Sequence, residues 1–207
     1  MKKDQIEPEK YPKVYQDYLR KEEKLVIKFL KGTGSVLDVG CGTARLAPKI
    51  SSLVNQYVGV EISSEYFKIA RDRSQRFRNI KIIKLNAENL SKKFEKGQFD
   101  KTISTWNTVG CLKDDKKVIK EIFKVTKNKV FFSVLPRGSL EKRIEYYNKL
   151  KVKHTVDRES EIIKSRQWGV VRAYSDQDIR NLVKNTGFKI EKLKQINNVG
   201  FVVYLRK

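Results

Sequence analysis

Hydrophobic and polar positions along this 207-residue chain change their period several times. "SVLDVG" (35–40) is a short apolar run that ends at an acid, the pattern of a buried strand. In the following "LAPKISSLV", Leu46, Ile50 and Leu53 fall at helical spacing, and Pro48 sits early enough that its missing N–H does little harm. A second strand is expected over 57–62 ("YVGVEI"), then a helix capped by Ser63 or Ser64, with Phe67 and Ala70 on one face. "IKIIKL" (80–85) and "FDKTISTW" (99–106) read as the third and fourth strands. Asp114 opens a helix with Val118, Ile119, Ile122 and Phe123 on one side, and "KVFFSVL" (129–135) is a fifth strand stopped by Pro136 and Gly138. "SDQD" (175–178) has the capping-box pattern ahead of Ile179, Leu182 and Val183, and Gly187 is expected to close that helix. The segments 188–196 and 199–207, divided by an Asn-Asn pair, should form an antiparallel hairpin.

Five alternating steps and a closing hairpin predict an α/β fold, a doubly wound and mostly parallel seven-stranded sheet with a C-terminal antiparallel hairpin. The whole chain, 1–207, reads as one domain, with 1–33 as an N-terminal helical cap. Residues 137–174 break the alternation. They contain a helix-like "LEKRIEYYNKL" and then a polar, basic stretch ending in "RQWGVVRAY". In open α/β sheets the loops at the carboxyl ends of strands surround the ligand, so this insertion is placed to form a lid or a substrate wall.

Composition narrows the class. At 39% hydrophobic the chain can bury a core, and no run of about 18 apolar residues exists to form a transmembrane helix. "MKKDQIEPEKYPK" at the N-terminus has no apolar region after its basic residues, unlike a signal peptide. Two cysteines, Cys41 and Cys111, and a single histidine, His154, supply neither a disulfide framework nor a zinc site, so no metal is expected. These features fit a cytoplasmic protein without a membrane partner. Charge is the unusual feature: 46 Lys and Arg against 24 Asp and Glu give a net charge of +22. Such an excess favours polyanions, RNA above all, although a lysine-rich surface serving solubility explains it equally well.

The turn after the first strand carries the chemistry. Gly40 and Gly42 match the first two glycines of a dinucleotide fingerprint, but Arg45 occupies the third place, and no P-loop pattern is present. Asp38 precedes the turn. A carboxylate there repels a pyrophosphate and welcomes a cation, so the ligand should carry positive charge and no phosphate. The segment "DVGCGTA" (38–44) resembles the first motif of class I S-adenosylmethionine-dependent methyltransferases, acid-x-G-x-G-x-G, with Ala44 in the last glycine's place.

That resemblance implies a Rossmann-like methyltransferase with S-adenosylmethionine as cofactor. It implies that Glu61, which ends the second strand 19 residues after Gly42, accepts from both ribose hydroxyls, with Ile62 beside it. "LNAENL" (85–90) resembles the family's G-D-A segment, which places Asn86 at the adenine amino group and the Ala87 N–H at the ring. Asp38, Gly40, Cys41 and Gly42 would surround the cofactor, with Thr105 and Trp106 at its methionine end. "YQDYLRKEEKL" (15–25) resembles the helix that closes over the cofactor, where Tyr15 and Arg20 would meet the methionine carboxylate.

Methyl transfer from a sulfonium is an in-line displacement with a built-in leaving group, so alignment matters more than acid–base groups, and no catalytic residue can be named. Trp106 and Asn107 sit where nucleophiles enter this fold; Asn107 could orient an amine or ring nitrogen, and Trp106 could equally pack under the cofactor. Tyr146, Tyr147 and Trp168 could wall a flat or cationic substrate or form the insertion's own core. His154 could be a base or a solvated loop residue. The N-P-P-Y signature of enzymes that methylate exocyclic base amines is absent, and "STWNTVGCL" loosely resembles small-molecule N-methyltransferases. The fourth-strand segment and the compact size favour a small-molecule acceptor, methylated on N or O. The charge favours RNA, with a protein acceptor and a non-catalytic cofactor-binding scaffold as further alternatives.

Overall fold

The computed structural model describes residues 7–207. The first six residues, part of the expected N-terminal cap and of the signal-peptide argument, lie outside the described residues. Seven strands form the main sheet: β1 (Thr33–Val39), β2 (Val54–Glu61), β3 (Ile80–Lys84), β4 (Phe99–Ser104), β5 (Thr126–Val134), and a final pair that follows the insertion. Among the described residues, eight α-helices complete the main elements: α1 (Lys13–Leu30), α2 (Ala47–Ile50), α3 (Ser64–Ser74), α4 (Leu90–Lys93), α5 (Thr108–Cys111), α6 (Asp115–Val125), α7 (Leu140–Lys149) and α8 (Asp176–Val183). Between α7 and α8 lie β6 (Thr155–Asp157), β7 (Ile162–Ser165) and β8 (Gly169–Val171), and the chain ends in β9 (Lys189–Ile196) and β10 (Gly200–Arg206).

The sheet order is β3-β2-β1-β4-β5-β10-β9, parallel from β3 to β5, with β10 antiparallel to both β5 and β9. The expected doubly wound sheet with its C-terminal hairpin is what forms. Alternation along each strand explains the two layers. Val36, Tyr57, Ile103 and Phe131 pack with Val26 and Leu30 of α1 on one face. Leu37, Val58, Val130 and Val203 pack with Val118, Ile119 and Ile122 of α6 and Ile179 of α8 on the other. The strand order reverses between β1 and β4, so their carboxyl ends diverge into a crevice at the point where such sheets bind ligands.

Local chemistry sets the element ends. Ser63 caps α3 by accepting from the Tyr66 N–H at 3.3 Å, and Asp114 caps α6 by accepting from the Lys117 N–H at 2.8 Å. Ser175 and Asp178 form the reciprocal capping box of α8. Asn197 and Asn198 both take left-handed backbone angles (φ 52° and 49°), which a tight hairpin turn between twisted strands requires.

Two expectations need correction. The helix after the glycine turn is only four residues long, and Leu53 is not on it, because β2 begins at Val54 to pair with Thr33. The terminator of α8 is not Gly187: the helix stops at Val183, and left-handed Asn185 (φ 62°) turns the chain. The polar stretch after α7, to which the sequence assigned no element, is a three-stranded antiparallel sheet, β6-β7-β8.

Candidate functional site

A cavity of about 540 Å³ opens at the carboxyl ends of β1, β2 and β4 and runs to the insertion. The glycine turn shapes one end. Gly40, Gly42 and Ala44 all adopt left-handed angles (φ 67°, 56° and 52°), so the backbone coils tightly around the crevice. At Gly40 a Cβ would lie 2.2 Å from Thr108 Cγ2, so no side chain fits there. Ala44 is therefore more than an added methyl group: it holds the third left-handed position at a steric cost of about 1–2 kcal/mol.

Two acids stand at the strand ends. Asp38 is buried at the end of β1; the Tyr57 hydroxyl donates to its Oδ2 at 2.5 Å, and its Oδ1 has no partner. Burial pushes its pKa up to about 7, against the pull of the Tyr57 hydrogen bond and of Arg45. A buried, half-satisfied carboxylate on a cavity wall is matched to a cationic ligand. Glu61 is fixed by backbone donors: the Gly42 N–H reaches Oε2 at 3.0 Å and the Ser63 N–H reaches Oε1 at 2.7 Å. Each oxygen keeps a further lone pair for a hydroxyl. Ile62, at 61% the exposed large hydrophobic among the described residues, lies next to it on the cavity wall. Asn86 Oδ1 accepts from the Glu88 N–H at 2.9 Å, which shapes the short 3-10 turn Ala87–Asn89 against the same wall.

The other end is aromatic. Tyr15 of α1 and Tyr146 of α7 meet at 4.8 Å between ring centroids, and both approach Trp106, at 5.8 and 6.0 Å. Tyr146 stacks on Trp168 at 5.7 Å, and Tyr147 meets Trp168 edge-on at 4.9 Å. Trp106 and Asn107 are consecutive left-handed residues (φ 53° and 58°), a strained turn that over-determined hydrogen bonds hold in place. The Trp106 N–H donates to Ser133 Oγ at 2.9 Å and to Glu22 Oε1 at 3.1 Å. The Asn107 amide is engaged at both ends: Oδ1 accepts from the Leu135 N–H at 2.9 Å and Nδ2 donates to the Arg172 carbonyl at 3.2 Å. Asn107 thus brackets β5 to the insertion, with one lone pair of its oxygen already engaged.

Of the residues singled out in the sequence, Tyr15, Asp38, Gly40, Cys41, Gly42, Glu61, Ile62, Asn86, Ala87, Thr105, Trp106, Asn107, Tyr146, Tyr147 and Trp168 all line this one cavity. Arg20 and His154 do not. Arg20 is exposed on the far side of α1 and pairs with Asp17 three residues before it, because its helical phase turns it away from the buried stripe. The His154 ring packs on Tyr147 and its Nδ1 is 2.8 Å from the Val152 carbonyl, outside the cavity. Burial raises the Cys41 thiol pKa well above its ordinary value, which removes it as a nucleophile.

Three charged residues were missed. Glu22 is completely buried; its Oε1 accepts from Tyr18, Trp106 and Ser133, and its Oε2 lies 3.4 Å from Arg45. Arg45, which also reaches Glu23 at 3.3 Å, is thereby held on the cavity wall beside the glycine turn. Arg143 of α7 is buried on the wall at the insertion. A signal existed for two of them. Glu22 and Arg143 fall on the apolar stripes of their helices, among Tyr18, Leu19 and Val26 in α1 and among Leu140, Tyr146 and Tyr147 in α7.

Fold and site together define a Rossmann-like methyltransferase scaffold: a reversed-order sheet, a phosphate-averse glycine turn and paired strand-end acids. A model of the methyltransferase domain matches residues 30–195, and the chain belongs to this family. An uncharacterized protein of Methanocaldococcus jannaschii is 28% identical over 195 residues, 87% of this chain and 72% of that one. The crystal structure of the PH0226 protein from Pyrococcus horikoshii superposes with a TM-score of 0.75 at 22% identity, over 97% of this chain and 96% of that chain. Magnesium protoporphyrin IX methyltransferase from Synechocystis, solved with bound S-adenosylhomocysteine, superposes at 0.67 with 14% identity, over 95% and 88% of the two chains. The cofactor this family implies is S-adenosylmethionine, and the residues present fit it. Unpartnered Asp38 Oδ1 would suit its cationic end, the backbone-pinned Glu61 would suit a diol, and the glycine turn would admit close approach.

Proposed function

We propose that this protein transfers the methyl group of S-adenosylmethionine to an N or O nucleophile of a small molecule held between the strand ends and the insertion. The observation that carries this reading is the cavity itself. It continues from the cofactor-type residues Asp38 and Glu61 into a compartment walled by Tyr15, Trp106, Tyr146, Tyr147 and Trp168. Burial of Tyr15, Tyr146 and Tyr147 supports a water-poor compartment scaled to a small flat molecule. S-adenosylmethionine supplies, when bound, a methyl activated by its sulfonium. Within the protein, Asp38, Arg45 and Glu61 bind and orient, and the aromatic walls exclude water and align the acceptor. Alignment of this kind contributes on the order of 7–11 kcal/mol to rate.

RNA is the second reading, favoured by the net charge of +22. Basic side chains on the cavity wall are few, however: Arg45, Lys113 and Arg143, of which Arg45 and Arg143 face carboxylates. The deciding experiment is label transfer from methyl-labelled S-adenosylmethionine into host extract fractionated into small-molecule, RNA and protein pools. Label in the small-molecule pool is expected. Label confined to RNA or protein would overturn the reading.

A further inference from the structure

The insertion contributes one cation to the cavity, and its hydrogen bonding is incomplete. Arg143 in α7 is 1% exposed. Its Nη2 donates to the Glu161 carbonyl at 2.6 Å and lies 3.4 Å from Glu161 Oε2. Nε and Nη1 are buried and have no partner. A guanidinium carries five N–H donors and cannot accept, so the N–H groups of these two nitrogens have lost water without a replacement. Glu161, fixed by the Gly138 N–H at 2.8 and 3.0 Å, compensates only in part, since its carboxylate stands 3.4 Å from Nη2 while Nε and Nη1 have no partner. Burial lowers the pKa of Arg143, so the fold bears a cost to keep this charge where it is.

A buried guanidinium on a cavity wall, paired through Nη2 alone and with its other two nitrogens unsatisfied, marks a place for an anion. Its surroundings narrow the choice. Tyr15, Tyr147 and Trp168 line the same compartment, and the stacked Tyr146–Trp168 pair forms a flat apolar surface beside it. The cofactor-type acids enter from the ends of β1 and β2, whereas Arg143 enters from the insertion, on the acceptor side. We propose that Arg143 anchors a carboxylate of the methyl acceptor, and that the acceptor is a small aromatic or otherwise planar acid. This rests on the small-molecule reading above and gives it a substrate class. The planar body packs on the aromatic wall, and the carboxylate takes the free N–H groups of Arg143. The nucleophile then lies at the opposite end, toward Trp106.

The chain's two tryptophans, Trp106 and Trp168, both line the cavity, so intrinsic fluorescence reports its occupancy. Protein saturated with S-adenosylhomocysteine is titrated with benzoate, phenylacetate and 3-phenylpropionate and with their amides. The acids are expected to bind at least about tenfold more tightly than the amides, because only they form a charge-assisted pair. Arg143→Gln should abolish that preference and Arg143→Lys should keep part of it, while calorimetry finds S-adenosylhomocysteine affinity unchanged in both. Equal affinity of acids and amides overturns the proposal, as does failure of every probe to bind the wild-type protein, or a preference that survives in folded Arg143→Gln. The wild-type comparison decides even if Arg143→Gln fails to fold. Acids and amides that bind equally sink the anchor and leave the small-molecule reading standing, whereas label confined to RNA or protein sinks that reading itself.

Discussion

Asp38 is an acid whose burial holds its pKa near the middle of the physiological pH range. Its folded pKa of about 7 lies above the ordinary value of 3.8 because burial penalises its charge, with Glu22 and Glu61 adding to the rise and Tyr57 and Arg45 opposing it. Between those two values the folded state binds more protons than the unfolded one, so the residue's contribution to stability is full below about pH 4 and fades as pH rises toward 7. The ammonium group of the ligand prefers the ionised form, so S-adenosylhomocysteine affinity should rise with pH, by up to about tenfold per unit below the pKa, and level off above it. Asp38→Asn should flatten that profile in calorimetry and weaken binding by about tenfold or more at pH 8; a slope that persists in the variant would refute the assignment. Two neighbours on the same turn make a contrasting pair. Gly40→Ala adds a Cβ against Thr108 at a left-handed position and should cost about 2–5 kcal/mol in urea unfolding. Ala44→Gly relieves about 1–2 kcal/mol of left-handed strain but gives up a buried methyl and loosens the unfolded chain, so it should change stability by no more than about 1 kcal/mol.

At the scale of elements, α1 shows how a helix is fastened to a site. It has no side-chain N-cap, and its attachment runs through Glu22, which links Tyr18 of the same helix to the Trp106 turn, to Ser133 of β5 and to Arg45. Glu22→Gln keeps one acceptor but leaves Arg45 without a buried charge partner, and should cost about 1–3 kcal/mol. Hydrogen exchange should quicken in the N-terminal half of α1 and around Trp106; unchanged exchange there would mean that apolar packing alone holds the helix. The same element marks where sequence reading succeeds and fails. Strands, caps and the Asn197–Asn198 turn were legible because their determinants are local, within two to four residues. Asp38, Gly40 and Glu61, singled out by the glycine turn and the resemblance it carries, do meet on the wall of one cavity, at and just after the ends of consecutive strands. Glu22, Arg45 and Arg143 were not legible, because their roles depend on partners brought together by the fold, such as Ser133, which is 111 residues from Glu22. A charged residue in an amphipathic helix ordinarily reads as a solvent face, and only its position on the apolar stripe betrays it. The strands β6, β7 and β8 are three or four residues long, with Ile163 and Val171 their buried hydrophobics, too short for an alternating pattern to stand out.

Over the whole molecule, the charge has a structural use that requires no polyanion. The sheet is open, and its two edge strands are β3 and β9. Lys81 and Lys84 are exposed on β3, and Lys189, Lys192 and Lys194 are exposed on β9. An edge strand presents unpaired N–H and C=O groups to any other strand, and lysines there penalise such pairing through charge repulsion and desolvation. β9 is the edge at greater risk, since it is eight residues long and pairs with its neighbour β10 on one side alone. Replacing Lys189, Lys192 and Lys194 together with threonine keeps strand propensity and removes three charges from this edge. Sedimentation velocity should then reveal concentration-dependent self-association beyond that of the wild-type protein, growing with added salt as the remaining repulsion is screened. Methylation of the small-molecule pool should be unaffected, because β9 is the outermost strand and contributes nothing to the cavity wall. If these lysines tracked phosphates instead, the triple variant would lose RNA affinity, and the dependence of that affinity on salt would become shallower by nearly one unit per lost contact. A shallower salt dependence with no new self-association would move the charge from the maintenance of a soluble sheet edge to the recognition of RNA.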